Sequence, residues 1–191
     1  MDAELNALLE LCMSNDVPVL VHSGYGEFEA RKGYGEYHSN PKFWKQFLES
    51  HSKPGEPCKL MLCLGHAGGE DYWFGTGTHG DWGRCAFELC TQYPNVYCEI
   101  TTSDAMIEST TQAFFVDRLA KCFTESTKSP YPFAKKLMYG TDWPLPDKGE
   151  PAAVLLATEK AFLHPSLKDH YADYFSGNAR RYLKFEPKQN E

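Results

Sequence analysis

Three side chains stand out by where they fall. His22 follows a β-branched run in PVLVHSG, His66 lies in GHAGG, and Asp142 lies in GTDWP. Neutral imidazole and carboxylate are the donors of divalent-metal sites, zinc foremost, with iron or manganese as alternatives. A cation held by such donors makes hydroxide available near neutral pH, which is the chemistry of hydrolysis. Each residue alone has a plainer reading. A histidine after a strand commonly bonds local backbone, and Asp142 before Trp143-Pro144 suits a helix cap or an Asx-turn. The glycines around His66 favour close approach by backbone or ligand. All three at strand ends form the stronger pattern, and the expectation is that residues 22, 66 and 142 converge on one point.

The surrounding pattern supplies the strands. Residues 17–21, 60–64, 96–100 and 136–139 are short apolar runs of the kind buried on both faces of a parallel sheet. Their centres are about 42, 36 and 40 residues apart, and helix-like segments fill the intervals at 2–14, after Asn40-Pro41, 82–92, 105–123 and 151–163. Residues 70–80 read as an aromatic, glycine-rich loop. This alternation predicts βαβ crossovers, an α/β class, and ligands at the carboxyl ends of the strands.

Other candidates are weaker. His38, His51, His164 and His170 read as surface residues, while His79 borders the predicted site. Glu99 ends the third strand and faces either the same mouth or a helix interface. Tyr25, Phe28, Tyr34, Tyr37, Tyr72, Trp73 and Phe74 either line a pocket for a flat substrate or pack on one another over the mouth. The charged stretch Glu27, Glu29, Arg31, Lys32 and Glu36 reads as a solvated loop face, with Arg31 or Lys32 able to meet a substrate carboxylate.

Composition narrows the function classes. Apolar residues at 42% and charged residues at 24% are globular proportions. A net charge of −7 without a basic run gives no case for nucleic acid or an anionic membrane. No stretch approaches the roughly 18 apolar residues of a membrane span, and the acidic N-terminus is unlike a secretory signal. The expected location is cytoplasmic. Seven cysteines, without a CxxC pair, read as reduced small hydrophobes.

Taken in order, PVLVHSG, LGHAGG, YPNVYCEIT, KLMYGTDWP and FSGNARRYL resemble the second half of amidohydrolase-related proteins. This metal-dependent hydrolase group includes aminocarboxymuconate-semialdehyde decarboxylase-like enzymes. The resemblance runs from about Val17 to Leu183. It implies a partial TIM (β/α)8 barrel whose four strands are the fifth to eighth, in a single domain over residues 1–191 that lacks the N-terminal half. It also implies His22 as a metal ligand, His66 as a ligand or substrate-polarising group, and Asp142 as a metal contact and general base. Zinc is the implied cofactor and a small organic molecule the implied substrate. Hydrolysis is the first activity, decarboxylation the second, and an inactive truncated form that binds a partner the third. The His-X-His of the family's first strand does not occur here. A four-stranded piece leaves two edges open, so a homo-oligomer or a missing N-terminal half is the expected partner.

Overall fold

The computed structural model describes residues 2–25, 34–101, 103–142 and 151–185. Helix α1 spans Ala3–Ser14 and begins where the Asp2 carboxylate accepts from the Glu4 and Leu5 backbone N–H groups, at 2.9 and 3.4 Å. Strand β1, Val19–His22, follows after a turn at Asp16, whose φ is 56°. Helices α2 (Gly35–His38) and α3 (Lys42–Ser50) lead to β2, Leu62–Gly65. Next come α4 (Glu70–Phe74), α5 (Gly80–Gln92), β3 (Val96–Thr101), α6 (Ser109–Glu125), β4 (Leu137–Gly140), α7 (Pro151–Phe162) and α8 (Asn178–Tyr182).

The four strands form one sheet in the order β1-β2-β3-β4, every pair parallel. Leu20 pairs with Cys63, Cys63 with Tyr97, and Glu99 with Met138. The pleat therefore sends Leu20, His22, Cys63, Gly65, Tyr97, Glu99, Met138 and Gly140 to one face. The other face carries Leu62, Leu64, Val96, Cys98, Ile100 and Leu137, and the helices bury it with Trp73, Phe115, Phe133 and Phe162. Each fully buried side chain of this size contributes roughly 1.5–3 kcal/mol. A smaller cluster of Met61, Cys63, Tyr97, Met138 and Tyr182 lies on the first face. There Asn178 anchors α8 by donating to the Ala134 and Leu137 carbonyls, at 2.9 and 2.6 Å.

One segment differs from expectation. Within residues 70–80 the chain forms α4, entered at Gly69 (φ 89°) and left at left-handed Gly75. Tyr72, Trp73 and Phe74 are buried there, and the Trp73 indole N–H donates to the Ala67 carbonyl at 2.9 Å. These three aromatics belong to the core. Their burial supplies the free energy that a five-residue helix lacks alone. All seven cysteines are free, and burial pushes the Cys63 and Cys98 thiols well above their usual range. Among the described residues no helix is long and apolar enough to cross a membrane. Glu27, Phe28, Glu29, Arg31, Lys32, Trp143 and Pro144 lie outside the described residues, as do the side chains of Glu36 and Tyr37.

Candidate metal centre at the strand ends

His22 is the last residue of β1, and its side chain is exposed on the sheet's inner face. Its Nε2–H donates to the Gly24 carbonyl at 3.1 Å. A proton held on Nε2 leaves the Nδ1 lone pair as the donor to a ligand.

His66 follows β2 directly. It has φ 63° and Ala67 has φ 46°, so two consecutive non-glycine residues stand in the left-handed region. Such strain persists only where surrounding contacts impose it, and it collects at functional sites. Here the contacts are visible. Ser23, fully buried, donates from Oγ to the Gly65 carbonyl at 2.6 Å and accepts from the Gly68 N–H at 3.1 Å. Gly68 has φ 83°, and a Cβ there would lie 2.4 Å from the Trp82 carbonyl carbon. The end of β1 thus clamps GHAGG into its turn.

The clamp brings the His22 and His66 rings together, with centroids 4.6 Å apart and planes at 65°. Gly24 permits the contact, since a Cβ there would sit 3.3 Å from His66 Cβ and 3.4 Å from His22 Nε2.

Glu99 resolves to the mouth and not to a helix interface. Its Oε1 lies 3.4 Å from the His66 backbone N–H, and its Oε2 is shielded from solvent. A Cβ on Gly65 would stand 3.5 Å from Oε1, and one on Gly140 would fall 1.3 Å from Oε2. The two flanking glycines leave the volume this carboxylate occupies. The sequence signal for it was the alternation Tyr97, Glu99 along β3. Burial, then the Glu99 charge, holds the neighbouring Tyr174 phenol well above its usual range.

Asp142 stands two residues beyond β4, exposed, with φ 54°. Among the described residues no group of three or more His, Cys, Asp or Glu side chains is arranged to hold a cation. The structure therefore joins the two imidazoles but does not bring Asp142 into a three-donor cluster with them. Two imidazoles are donors suited to zinc.

A second cluster borders the imidazole pair. The Asp71 carboxylate accepts from the His79 backbone N–H at 2.7 Å and lies 3.5 Å from His79 Nδ1. Tyr25, next to Gly24, stacks on the His79 ring at 3.6 Å. Sequence reasoning placed His79 at the border without seeing Asp71 as its partner, because loop pairings leave no periodic signal.

A parallel sheet with helical crossovers and polar residues at its carboxyl ends defines part of a TIM-type barrel. The sequence matches the amidohydrolase family model over residues 2–185, and the chain belongs to that family. No curated protein matches it. An amidohydrolase from Burkholderia multivorans with bound zinc superposes with a TM-score of 0.60 at 16% identity, covering 97% of this chain and 58% of that one. A protein assigned as a 2-pyrone-4,6-dicarboxylic acid hydrolase from Pseudomonas putida gives 0.62 at 15% identity, covering 98% and 59%. A 2,6-dihydroxybenzoate decarboxylase in complex with 2,6-dihydroxybenzoate gives 0.55 at 14%, covering 97% and 56%. The chain spans less than three fifths of the length of these structures.

Proposed function

We propose that this chain carries the His22–His66 side of a metal-dependent amidohydrolase centre that hydrolyses a small organic substrate. The observation behind the reading is the imidazole contact at the carboxyl ends of β1 and β2, maintained by a strained turn. His22 and His66 would hold a divalent cation, zinc foremost, with Asp142 brought to them in the active arrangement. The cation supplies an activated water at neutral pH. Asp142 takes the proton of the attacking water and returns it to the leaving group. If His66 does not ligate the cation, its alternative role is to donate to the oxygen on which negative charge develops. The Ser23 clamp fixes the His66 backbone, so its ring need not reorganise during reaction.

Metal analysis tests this reading. Stoichiometric zinc that is lost with His22→Ala supports it, and so does turnover abolished by a chelator. 2-Pyrone-4,6-dicarboxylate and 2,6-dihydroxybenzoate, named with two of the similar structures, are the first compounds to assay. Carbon dioxide release in place of ring opening would favour decarboxylation. The absence of a three-donor cluster among the described residues favours one further reading, a non-catalytic half-site that binds a partner. Full zinc occupancy together with turnover by this chain alone would overturn that second reading.

A further inference from the structure

On the inner face of the sheet, Cys63, Tyr97 and Met138 form an apolar layer. Glu99 comes two residues after Tyr97, so the pleat stacks it above that layer, at the level of the imidazole pair. A side chain serving stability alone would continue the apolar column, because a carboxylate withdrawn from water costs free energy unless charges or donors compensate it. Two glycines keep room for it instead: a Cβ at Gly65 would stand 3.5 Å from Oε1, and one at Gly140 would fall 1.3 Å from Oε2. The carboxylate also meets both imidazole-bearing strand ends. Its Oε1 lies 3.4 Å from the His66 backbone N–H, and Gly65, beside that oxygen, pairs with His22. Burial first, and the Glu99 charge after it, hold the Cys63 thiol and the Tyr174 phenol well above their usual ranges. Both therefore stay neutral beside the carboxylate and add no charge to offset its own.

We propose that Glu99 is a positioning residue for the imidazole pair, its negative charge favouring a divalent cation there and its Oε1 holding the His66 main chain. The inference rests on the reading of His22 and His66 as metal ligands. Neutral imidazoles offer lone pairs and no charge, so a divalent cation brings two positive charges into the mouth. Asp142 offsets one of them in the active arrangement, and Glu99 offsets the other from beside the pair. In a site of low dielectric an opposite charge acts over several Å without direct ligation. Glu99 is not itself a third ligand in this arrangement, since among the described residues no three such side chains are grouped for a cation. The competing role is purely structural, a carboxylate that only braces the GHAGG turn.

Calorimetric zinc titration of the full chain, with amide hydrogen exchange on the metal-free chain, tests it. Glu99→Gln keeps the volume and the acceptor oxygen and removes only the charge. It should weaken zinc about 10–100-fold, the usual loss when a group supporting the ligands is removed. Its circular dichroism spectrum and its metal-free His66 amide exchange should match wild type. Glu99→Asp keeps the charge and should bind zinc more tightly than Glu99→Gln. Glu99→Ala loses charge and acceptor, and should show both weakened zinc and faster His66 exchange. Wild-type affinity in Glu99→Gln would overturn the proposal and leave the structural role. A loss in Glu99→Asp as large as that in Glu99→Gln would overturn it too, as would a Glu99→Gln chain whose His66 amide exchanges faster, since the turn and not the charge would then explain the loss. Failure of the metal reading looks different: wild type takes up no zinc, or His22→Ala leaves its affinity intact, and the inference falls with that reading.

Discussion

The Glu99 carboxylate occupies the volume that a side chain on Gly140 would need, with Oε2 1.3 Å from the ideal Cβ position. The two residues lie on adjacent strands at the mouth of the sheet, so the glycine and the acid must be changed together. Gly140→Ala should destabilise the wild-type chain by about 1–3 kcal/mol, the range for overpacking. In a Glu99→Ala background the same substitution should be nearly neutral. A double-mutant cycle by urea denaturation measures the difference, and equal effects in both backgrounds would refute the pairing.

Gly68→Ala should be among the most damaging single-methyl changes in the chain. The residue combines φ 83° with a Cβ position 2.4 Å from main-chain carbon of Trp82. Neither can relax by side-chain rotation. A loss of more than about 2 kcal/mol is expected in chemical denaturation.

Ser23→Ala should cost about 1–3 kcal/mol, because the Gly65 carbonyl and Gly68 N–H lose a buried partner. The loss should come with faster exchange at Gly68. Ser23→Thr keeps the hydroxyl and is expected to restore slow exchange if the pocket admits its methyl.

Zinc titration by calorimetry should separate the imidazole pair from its surroundings. His22→Ala and His66→Ala should each weaken binding by more than the about 10–100-fold that loss of an outer-shell partner costs, and His79→Ala should not. Gly24→Ala places a methyl 3.3 Å from His66 Cβ and should weaken zinc with little change in global stability. Equal affinity in all four variants would place the cation elsewhere.

Lys136 provides a pH-dependent contribution to stability. It is 5% exposed, donates to the Pro94 carbonyl and lies 4.2 Å from the Tyr97 ring centroid. Burial lowers its pKa from 10.5 to about 8. Below about pH 8 the amine is charged in both states, and its burial opposes folding in full. As pH rises toward 10.5 the folded chain deprotonates first and that opposition fades. The stability of wild type relative to Lys136→Met should therefore rise between pH 8 and 10.5. A flat difference across that window would show that the amine stays charged in the fold.

The fold and the site were legible to different degrees. The four apolar runs gave the strands within two residues, since a strand buried on both faces has few alternatives. Helix α4 was missed because Glu70–Phe74 is too short to show a period, and its aromatics form a helix only when packed on Phe115 and Phe133. His22 and His66 were found from their place at strand ends. Their approach was expected from the same strand ends, but the turn that holds them together was not, because it depends on Ser23 reaching across to Gly65 and Gly68.

Chain order and residue type alone determined the parallel α/β class and the polar residues, two imidazoles among them, at the strand ends. These are local properties, carried by periodicity and by where each apolar run stops. Tertiary structure alone decided that His66 adopts a left-handed backbone and that Glu99 fills the space of two glycines. Those outcomes are set by contacts between residues about 40 positions apart, whose energies no local pattern encodes.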